Sequence, residues 1–510
     1  MSADDSYAEV PYPTPPVRCT HPEILAVVGA LSGLRPAPVD RCRVLEIGCG
    51  DGGNLLSMAC GLPGAEFVGI EPSAPALARA ADAAEALGVR NVRFERKGVE
   101  ELDEPPGSYD YVVTHGVFSW VAPDVQEKIL EVSARMLRPD GLAYVSYNTF
   151  PGWHARGMVR EMMLYHVRNE SSPSSRTANA RDFLARLSDA VGATEKGGHL
   201  ATDLEAYGAL LRHERDLISR YPEPYFYHEH LERVNLPVYF HEFIARAARH
   251  GLKFVSEAFY SSSQSIAYGA PVADVVRSLA KDPMEIQQLL DFASNRAFRQ
   301  SVLCRSDRPT ATDPGAVRSF HVSSPVRSVS FEDAGETFGV PWGWTLTTSD
   351  PALRKALTRI GEGWPAPVSF RALEGDAGGP GLASSLFDAF SRGLVEFQAA
   401  PPRFTKSTGG RPCASPLARL QATSGKVVTN LRHEQVSLDE LSRSWLVLLD
   451  GTRDAAGVLS ALSDDGKVAL QTADGATVTD PAERRRMLSE GVDAFLRNMA
   501  DAALLAATSA

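Results

Sequence analysis

Three carboxylates set around a cluster of glycines carry the clearest chemical signal in this chain. In Val44-Leu45-Glu46-Ile47-Gly48-Cys49-Gly50-Asp51-Gly52-Gly53-Asn54 an apolar run breaks into glycines, and Leu55-Leu56-Ser57-Met58-Ala59 follows as helix-compatible sequence. Glycines at such a turn let the backbone bend sharply and bring its amides against a ligand, which any side chain would hold away. Read literally, Gly48-x-Gly50-x-x-Gly53 also fits a dinucleotide fingerprint. Glu46 inside the run and Asp51 in the turn, however, put negative charge where a pyrophosphate would be repelled and a cation welcomed. Glu71 then ends the next apolar run, at roughly the twenty-residue offset where a strand-end carboxylate accepts ribose hydroxyls. The chemistry expected is capture of a positively charged nucleoside.

Holding these groups together requires a parallel sheet. Val44 to Ile47 reads as its first strand, Glu66 to Ile70 as the second and Asn91-Val92-Arg93-Phe94 as the third. Tyr109 to Thr114 reads as the fourth, and Leu142 to Tyr147 as the fifth, after the turn Leu137-Arg138-Pro139-Asp140-Gly141. S-adenosylmethionine, a sulfonium without phosphates, satisfies the charge argument. The pattern Glu46-x-Gly48-x-Gly50-x-Gly52, with Asp110 opening the fourth strand and Leu137-x-Pro139-x-Gly141 before the fifth, resembles the motif series of class I S-adenosylmethionine-dependent methyltransferases. That resemblance implies an α/β Rossmann-like seven-stranded sheet, with Leu252 to Ala258 and Arg299 to Arg305 as its last strands. It also implies cofactor contacts from Glu46, Gly48, Cys49, Gly50, Asn54, Glu71 and Pro72, and adenine contacts near Gly98 and Val99.

The carboxyl edge of such a sheet is where ligands bind. Thr114-His115-Gly116-Val117-Phe118-Ser119-Trp120 leaves that edge after the fourth strand, so His115, Phe118 and Trp120 are expected to face the donor or the acceptor, and His115, Gly116 and Trp120 are expected cofactor contacts. The run Tyr147-Asn148-Thr149-Phe150-Pro151-Gly152-Trp153-His154 leaves it after the fifth. Together with Tyr225-Phe226-Tyr227-His228-Glu229-His230-Leu231 and Pro237-Val238-Tyr239-Phe240-His241-Glu242-Phe243, it resembles bacterial methyltransferases carrying a methyltransferase regulatory domain, a family that includes protein lysine methyltransferases. For a lysine amine, which must lose a proton before attack, the candidate catalytic residues are His115, Tyr147, Asn148 and His154. The proline-rich leader from Tyr7 to Pro22 is either a disordered segment that docks through its prolines or a lid contributing Tyr12 or His21.

The chain's 510 residues suit several units. The expected division is a methyltransferase domain over 1–310 with a helical regulatory cap inserted at about 169–245, a middle winged-helix-like domain over 316–402, and a C-terminal one over 413–510 with a wing-like pair near 467–478. A net charge of −11 disfavours a nucleic-acid surface. Six cysteines without a Cys-x-x-Cys pair suit reduced thiols. The first residues lack the regions of a signal peptide and no apolar run reaches spanning length, so a cytoplasmic chain without membrane partners is expected. His228-Glu229-His230 and His241-Glu242 lack the i, i+4 histidine pair of a zinc helix, so no metal is expected. The partner expected is a protein or peptide acceptor, with a small-molecule O- or N-methyltransferase, a cofactor-binding regulator without turnover and a nicotinamide enzyme as alternatives. A homodimer contact is a further expectation for the C-terminal unit.

Overall fold

The computed structural model describes residues 9–193, 200–465, 478 and 480–507. After α1 (Pro22–Leu31), the chain alternates β1 (Arg43–Ile47), α2 (Gly53–Gly61), β2 (Glu66–Ile70), α3 (Ala74–Leu87) and β3 (Val92–Glu95). It continues through β4 (Tyr109–Thr114), α4 (Pro123–Met136) and β5 (Leu137–Asn148). These strands are parallel, and β1, β2 and β4 are covered on both faces, which is why they read as nearly unbroken apolar runs, whereas β3 is a partly exposed edge strand. β5 begins at Leu137, so the residues expected to form a turn before it belong to the strand, and its ladder with β4 is irregular between Tyr109 and Tyr111.

Among the described residues five helices separate β5 from β6 (Leu252–Glu257): α5 (Gly152–His166), α6 (Pro173–Gly192), α7 (Leu200–Ser219), α8 (Glu223–His230) and α9 (Phe240–Arg249). Then α10 (Ala270–Leu279) and α11 (Pro283–Ser294) lead to β7 (Phe298–Arg305), which inserts antiparallel between β5 and β6. The seven-stranded order is β3-β2-β1-β4-β5-β7-β6. It reverses direction between β1 and β4, the switch point beyond whose strand ends an open α/β sheet binds its ligand.

The five helices divide by what they bury. Phe240, Phe243 and Ala247 of α9 pack with Val145 and Tyr147 in one sheet core, opposite α1 and α2. By contrast α5 to α8 bury a cluster of their own around Val159, Met163, Leu184, Leu211 and Phe226, standing off the sheet as a cap.

α1 is apolar nearly all round because it lies between two cores. Leu25 and Val28 join the sheet core with Val44 and Leu142, while Val27 and Leu31 join Val317, Leu357 and Phe397. That second core belongs to β8 (His321–Ser323), β9 (Arg327–Glu332), β10 (Gly335–Gly339), β11 (Thr345–Thr348), α12 (Pro351–Gly363), β12 (Val368–Ser369), α13 (Phe370–Ala377), α14 (Leu382–Ser391) and β13 (Glu396–Gln398). The last segment holds α15 (Pro416–Ser424), the hairpin β14 (Val427–Thr429) and β15 (Gln435–Ser437), α16 (Glu440–Leu448), α17 (Ala455–Asp465) and α18 (Pro481–Asp501) around Trp445, Leu446 and Phe495. The wing-like pair expected near 467–478 falls outside the described residues apart from Val478. Among the described residues no helix is long and apolar enough to cross a membrane, and no group of three or more His, Cys, Asp or Glu side chains is placed to hold a metal ion.

Candidate active site

The turn after β1 sits at the switch point. Gly48 and Cys49 donate their amides to the Ile70 carbonyl at 2.9 and 3.1 Å, tying the turn to the end of β2. Gly48, Gly50 and Gly52 all take left-handed φ (74°, 55° and 74°), whereas Gly53 already belongs to α2. This alternation follows the methyltransferase spacing rather than the dinucleotide one. A Cβ on Gly48 would stand 2.5 Å from Val117 Cγ2, so a side chain there would collide as well as strain the backbone.

Glu71 follows β2 and is held at the turn by two amides, Gly50 N–H donating to Oε2 at 3.1 Å and Ser73 N–H to Oε1 at 3.0 Å. Pro72 is exposed, and its carbonyl accepts from Arg96 Nε at 3.1 Å. Gly98 donates its amide to Glu101 Oε2 at 2.7 Å, and Val99 is buried in the sheet core. Cys49 is buried as well, which raises its thiol pKa well above the ordinary value.

Glu46 is 4 % exposed. Burial pushes its carboxyl up to about 8 even though Asn54 Nδ2 donates to Oε1 at 2.7 Å. Its Oε2 is buried without a hydrogen-bond partner among the described residues, as is Thr114 Oγ1 at the end of β4. Such orphaned acceptors are costly unless a ligand satisfies them. A half-buried carboxylate, a glycine-lined backbone cradle and two unsatisfied oxygens at one sheet edge fit a polar, positively charged nucleoside.

The leader crosses this edge. Thr14 donates its amide to Asp51 Oδ1 at 3.0 Å and accepts from Gly53 N–H at 3.0 Å, and its hydroxyl bonds the same Asp51 oxygen. Val10 O accepts from His228 Nε2 of α8 at 2.7 Å, while Tyr12 packs edge-on against the His228 ring at 5.5 Å. Burial, reinforced by Glu229, pushes the Tyr12 phenol up to about 12. The leader therefore joins the turn, through Thr14, to the cap, through Val10 and Tyr12. His21 lies elsewhere: it caps α1 by accepting from Glu23 N–H, and it packs against His433 of the last segment at 5.3 Å.

His115 leaves β4 and bonds the Tyr144 hydroxyl through Nδ1 at 2.9 Å. Gln300 Nε2 donates to that same hydroxyl at 3.1 Å, so His115 is held in place through a side chain that is itself anchored on β7. Burial pulls the ring down to about 4, which keeps it neutral. Gly116 N–H donates to Ser146 Oγ at 2.9 Å, and half-buried Trp120 meets Trp153 edge-on at 6.4 Å. Asn148 ends β5 and donates Nδ2 to Asn235 Oδ1 at 3.1 Å, which leaves its own carbonyl oxygen as an acceptor. His154 is exposed, stacked on Phe150 at 4.2 Å and bonded to Tyr239 OH at 3.0 Å.

Tyr147 differs from these. It alternates to the other face of β5, stacks on Phe243 at 4.0 Å and bonds Ser301 Oγ at 3.2 Å in the α9 core. The structure does not bring it to the cleft, nor Phe118, which is fully buried in the same core and meets Phe243 edge-on at 5.3 Å. Thr14, Asn235 and Phe298, which faces His115 at 6.1 Å, are not singled out by the sequence because only the fold brings them to this edge, and Tyr239 stands in a family-like run that attaches no role to it.

Comparison with known proteins agrees with this geometry. Residues 44–141 match a methyltransferase domain, 222–305 a predicted methyltransferase regulatory domain, and 410–504 the C-terminal winged helix domain of PKMT. The chain is 28% identical to the uncharacterised protein RP789 of Rickettsia prowazekii over 98% of its own length and 93% of that protein's. It is 36% identical to RP028 of the same organism over 49% of its own length and 96% of that protein's. The structure of PKMT2 from Rickettsia typhi in complex with AdoHcy superposes with a TM-score of 0.83 at 27% identity, covering 97% of this chain and all of that one. The chain belongs to the class I S-adenosylmethionine-dependent methyltransferases. Within them it falls in the family that joins a methyltransferase regulatory domain to a C-terminal PKMT winged helix domain, and its cofactor is S-adenosylmethionine.

Proposed function

We propose that this enzyme methylates lysine side chains of a protein acceptor. The observation that carries the reading is the likeness to PKMT2, which extends through the cap and the winged-helix segment rather than stopping at the sheet. When bound, S-adenosylmethionine supplies a methyl group on a sulfonium, which leaves as a neutral thioether once the acceptor nitrogen's lone pair takes the methyl. Glu71 would hold the ribose hydroxyls, the Gly48 to Gly50 backbone would take the nucleoside, and Gly98 and Val99 would hold the adenine. Glu46 Oε2 and Thr114 Oγ1 offer acceptors at the cationic end.

On the acceptor side, the free carbonyl oxygen of Asn148 takes an N–H of the incoming amine and so turns the lone pair toward the methyl. His115, kept neutral by burial, is too weakly basic to take the proton of an ammonium at neutral pH. The aromatic rim of Phe150, Tyr239 and Phe298 strips water from the ammonium and lowers its pKa.

Transfer from labelled S-adenosylmethionine into a complete lysate tests the assignment. Label is expected in protein, recovered as N-methyllysine after hydrolysis; label confined to small molecules would overturn the lysine reading. Asn148→Ala is expected to lower kcat about 10-fold or more while cofactor Kd stays near wild type, since it removes a hydrogen bond made to a charged or charging group. Gly48→Ala should act oppositely, weakening cofactor binding about 10-fold or more, because the contact with Val117 Cγ2 adds to a left-handed strain of roughly 1–2 kcal/mol and pushes the turn out of shape; isothermal titration with S-adenosylmethionine measures this.

A further inference from the structure

The C-terminal segment reaches into the back of the cofactor turn. Between β14 and β15 the chain makes a tight turn in which His433 takes a left-handed φ of 62° and is 4 % exposed. Its Nδ1 lies 2.8 Å from Ser57 Oγ and its Nε2 2.9 Å from Asn54 Oδ1, both on α2, the helix that the glycine turn feeds. Asn54 Oδ1 also accepts from Val17 N–H of the leader at 2.9 Å, which fixes that atom as an oxygen. Nε2 of His433 must therefore donate, and Nδ1 accepts the Ser57 hydroxyl proton. The other end of the Asn54 amide donates to Glu46 Oε1 at 2.7 Å and to Thr20 Oγ1 at 3.0 Å.

Ion pairs hold the turn in this seat. Arg18 of the leader bonds Glu396 of β13 at 2.9 Å and the Arg432 carbonyl at 2.6 Å, and Arg432 bonds the same Glu396 oxygen at 2.6 Å while its guanidinium covers the Trp364 ring at 4.4 Å. Ser57, His433, Asn54 and Glu46 thus form one buried file from the winged-helix segment to the carboxyl behind the glycines.

We propose that His433 is a positioning residue for the cofactor turn, through which the C-terminal winged-helix segment sets the enzyme's affinity for S-adenosylmethionine. Asn54 is the hub. Its amide orients Glu46 on one side and anchors the leader at Val17 on the other, and His433 keeps that amide from rotating. Without the imidazole, Asn54 loses a donor and Ser57 an acceptor in a buried site, and Glu46 and the leader lose their common reference. Linkage makes the effect reciprocal, so a bound cofactor also tightens the seat of the β14–β15 turn.

Full-length His433→Gln, His433→Asn and His433→Ala, titrated calorimetrically with S-adenosylmethionine, test the proposal. A glutamine amide reaches the Nε2 position and can still donate to Asn54, whereas an asparagine reaches only the Nδ1 position near Ser57. Loss of a buried hydrogen bond predicts about 10-fold weaker binding for Ala and Asn, with Gln within about threefold of wild type. Asparagine relaxes a left-handed backbone better than glutamine does, so a role confined to backbone strain reverses the order. Binding equal to wild type in all three variants, or Asn milder than Gln, would overturn the proposal. Should Ala fail to fold, the Gln and Asn pair alone decides. Wild-type protein that binds no S-adenosylmethionine sinks the methyltransferase assignment instead, so the two failures are distinguishable.

Discussion

Replacing Glu71 by alanine is expected to weaken S-adenosylmethionine binding about 100-fold, the largest loss any single side chain of the cofactor edge should show. A carboxylate hydrogen bond contributes about 1.5–3 kcal/mol, and a strand-end acid that accepts two ribose hydroxyls offers a pair of them. The truncation also strips the Gly50 and Ser73 amides of their acceptor. These amides lie within the turn and just before α3, so their loss loosens the cradle that the ligand enters. Glu71→Gln separates the contributions: it keeps the size and one acceptor oxygen, and should fall between wild type and alanine. Calorimetric titration of the three proteins, with circular dichroism to verify folding, reads the order. Equal affinity for wild type and Glu71→Ala would move the nucleoside away from this edge altogether.

Legibility in the sequence followed the range of the interactions involved. Short parallel strands buried on both faces announce themselves as apolar runs, and β1, β2 and β4 lie within a residue or two of where the sequence puts them, as do β6 and the antiparallel β7. The turn was legible because its glycines are a local necessity: left-handed φ at Gly48, Gly50 and Gly52 leaves few other choices. The two sides of β5 were harder. Tyr147 and Asn148 are neighbours in a run that looks equally polar and aromatic, yet the pleat sends one into the α9 core and the other toward Asn235. The partners of Asn54 lie beyond any local pattern, since Val17 precedes it by 37 residues and His433 follows it by 379.

Those long-range contacts change how the chain should be dissected. A truncation after the seventh strand strips Val27 and Leu31 of α1 of the core they share with Val317 and Leu357, and removes His433 from α2. Loss of activity in such a fragment would report damage to the cofactor turn as readily as loss of acceptor docking. Point substitutions are the cleaner instrument.

The largest stability effect is expected at Arg299, where Arg299→Met should destabilise the fold by about 3–5 kcal/mol, the cost of leaving buried charges unpaired. Its guanidinium is fully buried on β7, with Nη1 2.6 Å from Glu257 Oε1 and with Nε and Nη2 each 2.8 Å from an Asp291 oxygen. It also covers the Phe240 ring at 3.9 Å, so methionine replaces part of the packing but none of the charge. Arg296 still reaches Asp291 at 2.8 Å, which leaves Glu257 the more exposed to the loss. Burial alone would raise the Glu257 carboxyl, but Arg299 and Arg296 hold it below the ordinary 4.5 in the folded chain. A depressed acid adds stability above its unfolded pKa and loses it as pH falls through the folded value. The gap between Arg299→Met and wild type should therefore be widest at neutral pH and close as pH falls through the lowered wild-type Glu257 value, where this carboxylate takes up its proton in both proteins. Urea denaturation followed by far-ultraviolet circular dichroism at neutral pH and below that value measures this, and adding Glu257→Gln to the variant should restore part of the loss at neutral pH. A constant gap across pH would assign the effect to packing on Phe240 instead. The damage should also reach the cleft, because β7 carries Gln300 to Tyr144 and Phe298 to His115, so cofactor and acceptor geometry should loosen before the sheet unfolds.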